Sequence, residues 1–393
     1  SDTSPYENVP FEIPESWVWT TIGDIFIHNT GKALNAANND GVLMDYITTS
    51  NLYWDKFDLT VVKQMLFTDT EIEKCTVKYG DLLVCEGGDI GRAAIWTYDY
   101  DVRIQNHIHR LRGFCNISHR FYYYIFLLYK MLNLIGGKGV AIQGLSSNDL
   151  HKLVIPLPPI KEQCRIVSII ESWFSVIDRV EQEKKDLCNA IKQIKSKILD
   201  LAIHGKLVSQ DPNDEPAIEL LRRINPSFKS CDNAHYKNLP SGWSICRLED
   251  IVDYEQPQAY IVDSTDYSED YPTPVLTAGK SFIIGYTNET DGICDNLPVI
   301  IFDDFTTDSR FVDFPFKIKS SAMKILRVKK EIDIRYVGFY MSITRLVGDT
   351  HKRYWISEYS KLPILIPPKA EQERIVQTVT DLLGKLDNII AEL

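Results

Sequence analysis

Residues Pro156–Leu201 read PLPPIKEQCRIVSIIESWFSVIDRVEQEKKDLCNAIKQIKSKILDL. Alternating steps of four and three from Ile166 reach Ile170, Trp173, Ile177, Val180, Lys184, Leu187, Ile191, Ile194, Ile198 and Leu201, and all but Lys184 are apolar. A mean spacing of about 3.5 residues, kept over several heptads, lays one apolar stripe along a helix and demands a second helix against it. The partner is in the same chain. From Ile364 the sequence reads ILIPPKAEQERIVQTVTDLLGKLDNIIAEL, and a shift of 209 positions lays it on the first copy. Pro158-Pro159 then falls on Pro367-Pro368, Glu162-Gln163 on Glu371-Gln372, Arg165-Ile166-Val167 on Arg374-Ile375-Val376 and Asp178 on Asp387. The stripe repeats in register through Ile375, Val379, Leu382, Leu386 and Ile389 to Leu393.

Each helix follows a long segment that also opens alike. Ile13–Ile25 (IPESWVWTTIGDI) and Leu239–Ile251 (LPSGWSICRLEDI) coincide at Pro14/Pro240, Trp17/Trp243, Asp24/Asp250 and Ile25/Ile251, at a shift of 226 positions. The middles, Asn29–Gly144 and Tyr254–Arg353, align nowhere. A chain of 393 residues exceeds one ordinary core, and a repeated frame around unlike contents implies two domains of one architecture. The boundaries expected are a lead-in 1–16, a first domain 17–155, a long helix 156–204, a linker 205–238, a second domain 239–363 and a second long helix 364–393. Both domains read as α+β. Asp81–Cys85 and Ala93–Tyr98 predict strands joined by a turn at Gly87-Gly88 and Gly91, and Ser118–Leu134 a helix capped by Ser118. In the second domain Leu297–Phe302, Phe311–Phe316 and Ala322–Val328 predict strands and Asp333–Leu346 a helix. The fold class expected is α+β, with a pseudo-twofold repeat and two long helices packed antiparallel as a coiled coil.

Composition excludes some classes. No apolar run approaches the roughly 20 residues of a membrane span, and the first residues lack a signal pattern, so a cytoplasmic protein is expected. The eight cysteines form no CxxC pair or zinc-spaced cluster and read as free thiols. With 43 basic and 54 acidic residues the formal charge is −11, which argues weakly against nucleic acid until local basic faces are considered.

No catalytic constellation emerges. Gly87–Arg92 (GGDIGR) resembles half of a dinucleotide fingerprint but precedes a strand, and Ala278–Ser281 ends like a phosphate loop whose first glycine is instead Pro274. Asp303, Asp304 and Asp308 read as a solvated turn, and no metal site is expected.

Basic residues are grouped, however. Arg103, Gln105, Asn106 and His107 cluster in the first domain, with Arg92 before them and Lys138 and Gln143 beyond in GGKGVAIQG. In the second, Arg345, His351, Lys352, Arg353 and Tyr354 follow Lys280, Arg310 and Lys324. Arg, Lys, Asn and Gln pair with base edges or hold phosphates. Gln105, Asn106 and Arg353 suit base reading, and Lys138 and Lys352 suit phosphate. Arg110, Arg112, Lys317 and Lys319 read instead as exposed strand residues.

Together these features resemble the specificity subunits of type I restriction-modification systems. The residues that carry the resemblance are the domain opening Pro240–Trp243, more loosely Pro14–Trp17, the two PP…EQ.RIV helix starts, and Ile198–Leu221 (ILDLAIHGKLVSQDPNDEPAIELL). The resemblance covers nearly the whole chain as a frame. It implies two target-recognition domains on double-stranded DNA and no catalysis by this chain. It also implies two DNA adenine methyltransferase subunits and a restriction/translocase subunit as partners, with S-adenosylmethionine and ATP bound by those subunits. A helix from Lys161 to about His204 is about 66 Å long, so antiparallel pairing would set the domains on separate turns of one duplex. The second helix stops at Leu393, where the first runs on past the equivalent Lys184, which reads as a truncation or as turns supplied by another subunit. A module of a related methyltransferase or phage-defence system, and a coiled-coil scaffold without DNA specificity, remain alternatives.

Overall fold

The computed structural model describes residues 9–34, 40–135, 145–230, 239–279, 281–346 and 352–393. The chain forms two compact units, Ser1–Val180 and Glu181–Leu393. Each unit closes on itself in the same way. In the first, the opening strand Val18–Thr21 lies antiparallel to the exit strand Val154–Leu157, Val18 opposite Leu157. In the second, Ser244–Arg247 lies antiparallel to Pro363–Ile366, Ser244 opposite Ile366. At the shifts of 226 and 209 positions found in the sequence, these are one register. The next backbone bond repeats too: Ile22 N–H donates to Leu153 at 3.0 Å, and Leu248 N–H to Leu362 at 3.1 Å. The shared aspartates then end the opening strand, because Asp24 accepts from Thr21 N–H at 3.0 Å and Asp250 from Arg247 N–H at 2.8 Å, each capping a single helical turn.

The glutamine of each Glu-Gln pair fastens the long helix to its domain. Gln163 accepts from the backbone N–H of Ser118 at 2.9 Å and donates to the carbonyl of Pro158 at 2.8 Å. Gln372 does the same with Asp333 N–H, at 2.8 Å, and Pro367, at 3.0 Å. Ser118 and Asp333 are the N-caps of the domain helices His119–Met131 and Ile334–Ile343. Both glutamines are buried, and their amides satisfy the buried proline carbonyls and the part-buried N-cap amides together.

Between these shared ends the sequences differ, yet the topology does not. The first domain has an antiparallel sheet in the order Phe26–Thr30, Ile108–Gly113, Leu82–Cys85, Ala93–Ile95. The second has Val252–Glu255, Met323–Val328, Val299–Asp303, Ser309–Val312. In each, the domain helix buries its apolar side on this sheet: Phe121, Tyr122 and Phe126 against Leu82, Val84 and Leu111, and Tyr336, Val337 and Met341 against Ile300, Phe302 and Leu326. A smaller mixed sheet adjoins it in both. Its parallel pair is Val42–Ile47 with Val102–Ile104 in the first domain and Thr273–Leu276 with Lys317–Ile318 in the second. The expected strands at Asp81–Cys85 and Ala93–Tyr98 occur as Leu82–Cys85 and Ala93–Ile95, antiparallel across a turn in which Gly88 and Gly91 take the left-handed conformation at φ 73° and 82°. Phe311–Phe316 is a shorter strand than expected, Ser309–Val312.

The first long helix runs from Ile160 to Ile203, 44 residues or about 66 Å, and the second from Lys369 to Ala391, 23 residues or about 35 Å. Within the second unit the two run antiparallel: Lys184 meets the carbonyl of Leu393 and Lys195 pairs with Asp387. Ile191, Ile375 and Val379 are buried there, Ile198, Leu201, Leu382 and Leu386 half-buried, and Leu187, Ile194 and Ile389 exposed. In the first unit Ile166 and Ile170 are half-buried, but Trp173, Ile177 and Val180 are 65%, 49% and 57% exposed. Within the first unit the apolar stripe is thus exposed from Trp173 to Val180. A charge at Ile177 is consequently a surface change, and Ile177→Asp should shift unfolding by no more than about 0.5 kcal/mol in this chain. Gln372→Leu should act oppositely. It leaves the part-buried N–H of Asp333 and the buried carbonyl of Pro367 without their partner, and denaturant unfolding should report a loss of about 1–3 kcal/mol.

Candidate nucleic-acid interface

In the first domain, four stretches converge at one end of the antiparallel sheet: Gly31-Lys32, the hairpin turn Glu86–Arg92, the turn Gln105–His107, and the two residues flanking segment 136–144. Gln105 N–H donates to Ile47 and Asn106 N–H to Lys32, both at 3.0 Å, while Glu86 N–H donates to His107 at 2.9 Å. A Cβ on Gly31 would lie 2.1 Å from the carbonyl oxygen of Ile104, so only glycine lets these backbones meet. In this turn Gln105 and Asn106 are half-buried and His107 is exposed, 3.7 Å from Glu86. Arg92 reaches the carbonyl of Thr49 at 2.6 Å and stacks over Tyr53. Arg103 is half-buried beside the Asp101 carbonyl, at 3.4 Å.

A histidine pair holds the far side of this edge. The fully buried His109 donates from Nε2 to the carbonyl of Leu145 at 2.7 Å, since a carbonyl can only accept; its Nδ1 therefore accepts from His28 Nε2 at 2.9 Å. Leu145 and Ile135, which flank segment 136–144, are both buried, and Ile135 packs against Gly91. Burial, with His109 and then His151 nearby, pushes His28 down to about 4. Burial also lowers His109.

The second domain places its counterpart at the same position in the same sheet. The hairpin turn Asp304–Asp308 follows Val299–Asp303, as Glu86–Arg92 follows Leu82–Cys85. Asp303 caps that turn by accepting from Phe305 N–H at 2.8 Å, as a solvated turn should. Asp304 does not conform to that expectation. It is buried, and accepts from Trp355 N–H at 2.8 Å through its carboxylate and from Tyr354 N–H at 2.9 Å through its carbonyl. Its other carboxylate oxygen lies 3.4 Å from Lys324, which donates to Gln256 at 2.9 Å. The segment Lys352–Trp355 is thus tied to the hairpin turn by two hydrogen bonds to Asp304, whose carboxylate is itself paired with the buried Lys324. Leu346, which precedes segment 347–351, is held to the same turn by its N–H on Thr307 at 3.1 Å.

This network corrects two expectations. Lys324 and Tyr354, read as DNA contacts, are 1% and 3% exposed and serve the interior. Arg310, Arg345, Lys352 and Arg353 are exposed. Arg345 pairs with Asp308 at 2.7 Å, Lys352 with Glu358, and Arg353 lies over Phe305. Lys138, Gln143, Lys280 and His351 lie outside the described residues. Of the basic residues read as exposed strand positions, Arg110 and Lys317 are buried, and Arg112 forms a bidentate pair with Asp81 at 2.7 and 2.6 Å. Nothing in the sequence marked Asp304 or His28 as anchors, because their partners lie far away along the chain. Among the described residues no group of acidic, histidine and cysteine side chains could hold a metal ion, and no helix is long and apolar enough to cross a membrane.

The model of the type I restriction modification DNA specificity domain matches the chain twice, over residues 14–189 and 240–393. The specificity subunit of the type I restriction enzyme EcoR124I/EcoR124II of Escherichia coli is 45% identical over 155 residues, 37% of this chain, and the match spans 38% of that relative. The EcoAI specificity subunit of the same organism is 22% identical over a stretch covering 98% of this chain and 81% of the relative. Among solved structures, the HsdS subunit from Thermoanaerobacter tengcongensis superposes with a TM-score of 0.56 at 15% identity, covering 98% of this chain and 92% of that one. A chain from a study of complex assembly and conformational transition of the type I R-M system gives 0.60 at 18%, covering 98% and 96%.

Two outcomes test the anchors. Asp304→Ala leaves Lys324 buried and uncompensated, so unfolding by denaturant should show a loss of about 3–5 kcal/mol. His28 is held below its ordinary value of 6.5, so the stability it contributes is complete above pH 6.5 and lost as pH falls towards 4. The melting temperature should fall across that window, and less steeply in His28→Gln.

Proposed function

We propose, from the premise that the chain belongs to the type I restriction-modification DNA specificity family, that its two domains read unlike half-sites of one bipartite DNA target. The chain performs no chemistry itself. It sets where two adenine methyltransferase subunits and a restriction/translocase subunit act, and those partners bind S-adenosylmethionine and ATP. One observation carries this reading. The two domains close in one register and share sheet order, yet the side chains offered where their loops converge are unlike. The first presents Gln105, Asn106 and His107 with Arg92 and Arg103; the second presents Arg310, Arg345, Lys352 and Arg353, the last over Phe305.

Sequence is read by side chains that reach base edges in a groove, while cations on phosphates fix the register of the protein on the duplex. The Gln105–His107 turn is held for the first role by its backbone bonds to Ile47 and Lys32. Arg353 is held for it by the anchoring of Tyr354 and Trp355 on Asp304. Methylated-adenine mapping in cells carrying this chain with its methyltransferase should reveal two different half-sites at a fixed spacing, and identical halves would sink the reading. Asn106→Ala and Arg353→Ala should each relax one half-site only, by roughly 1–3 kcal/mol for a bidentate contact. Lys352→Ala should weaken all targets alike and reduce the salt slope. Binding of the methyltransferase complex to targets altered in one half or the other separates these effects.

A further inference from the structure

The hairpin turn Asp304–Asp308 of the second domain holds an aromatic ring in the open on a backbone fixed from within. One carboxylate oxygen of Asp303 accepts from the N–H groups of Phe305 at 2.8 Å and Thr306 at 3.1 Å, and its carbonyl accepts from Thr307 N–H at 2.9 Å. Across the turn, Asp303 N–H donates to Asp308 at 2.8 Å. Thr307 is fully buried in the left-handed conformation at φ 57°, and its hydroxyl receives Leu346 N–H at 3.1 Å. Asp304 is turned inward to Trp355 N–H. With its neighbours so committed, Phe305 is left 37% exposed, and of the phenylalanines described in the second unit it alone is exposed.

At an edge that meets DNA, an apolar ring has few partners. In the major groove each base pair offers donors and acceptors, which a phenyl ring cannot use, and the apolar group there is the C5 methyl of thymine. The other way an apolar side chain meets a duplex is as a wedge pushed between base steps. A wedge needs a protruding ring with both faces bare. Phe305 is mostly covered, and the guanidinium of Arg353 lies over its ring, 5.8 Å from the centroid. That distance also sets a register. Successive bases along a strand are about 3.4 Å apart, so two groups 5.8 Å apart meet one base pair or two neighbouring ones. The turn at the same place in the first domain has no equivalent, since its apolar residue, Ile90, packs on the core.

We infer that Phe305 is a specificity-determining residue of the second half-site: its ring takes the 5-methyl group of a thymine, in the base pair read by Arg353 or in the one beside it. The inference rests on the reading that Arg353 contacts a base, and deepens it by naming the base next to that contact and the group recognised on it. A cytosine or a purine at that place offers the ring no methyl group.

The test uses the chain in complex with its methyltransferase subunits and the target defined by methylated-adenine mapping. Each thymine of the second half-site, on either strand, is replaced in turn by deoxyuridine, which removes the methyl group and leaves the hydrogen-bonding groups in place. One replacement should weaken binding roughly three- to fivefold, the worth of one buried methyl group. Phe305→Ala should bind thymine and deoxyuridine alike at that position, and the first half-site should respond to deoxyuridine identically in both proteins. The scan of the unaltered chain decides the matter by itself if the variant fails to fold. A second half-site without thymine, or indifference of the unaltered chain to deoxyuridine throughout it, overturns the inference. So does a sensitive thymine more than two base pairs from the position that Arg353→Ala relaxes. A loss on Phe305→Ala that is the same with and without the methyl group assigns the ring to a wedge, and overturns it too. Arg353→Ala that relaxes neither half-site overturns this inference together with the reading it rests on, whereas Arg353→Ala acting on the second half-site with no effect of deoxyuridine overturns this inference alone.

Discussion

Two glutamine side chains hold this architecture together. Gln163 and Gln372 each accept the N-cap amide of a domain helix and donate to the proline carbonyl that precedes their own long helix. One amide thus fixes two helix starts relative to each other, and a start carries unpaired N–H groups that must be satisfied when buried. With the start fixed, the antiparallel pairing of opening and exit strands follows in one register. The intervening chain then has only to leave and return, and any α+β content that does so is compatible with the frame. That is why middles with no alignable sequence occupy the same sheet order.

The frame was legible because its residues make local or capping contacts that tolerate few alternatives. Pro-Pro sets each helix start, Glu-Gln lies one turn inside it, and Asp24 and Asp250 bond to backbone three residues away. The hairpin at Leu82–Ile95 was legible for the same reason, since Gly88 and Gly91 mark a turn that few other residues can make. The mixed sheets were not. A strand of two residues such as Lys317–Ile318 exists only because Thr273–Leu276 lies beside it, and periodicity cannot register so short a run. Burial along the apolar stripe also escaped the sequence: a heptad pattern states what a helix can pack against, and does not state which of its positions are covered, as Ile191 is and Trp173 is not.

The same distinction runs through the candidate site. Gln105–His107 was singled out by residue type, and the structure adds the backbone bonds that tie the turn to Ile47, Lys32 and Glu86. Lys324 and Tyr354 were singled out by the same rule and lie inside. A lysine in an alternating strand carries no mark of the face it points to, and the carboxylate that lets Lys324 be buried belongs to a hairpin turn some twenty residues earlier along the chain, at Asp304. Buried ion pairs of this kind are poor evidence of stability, but they fix geometry, because either partner alone is costly. Here the fixed object is the backbone of Tyr354 and Trp355, directly behind Arg353.

Net charge misleads for a related reason. Lys32 with Glu71, Arg112 with Asp81, Lys317 with Glu289 and Lys324 with Asp304 each enter the count on both sides and leave the total untouched, while removing a cation from use. An exposed charge acts over about 8–10 Å at ordinary salt, so a duplex would sense the sheet end and not the sum over the chain. Even there, Arg345 already holds Asp308 and Lys352 already holds Glu358. Contact with a phosphate would exchange one ion pair for another and yield less than a free cation would. Arg310 and Arg353, exposed and with no carboxylate contact among those described for them, are the residues at this edge whose charge is best placed to be used in full.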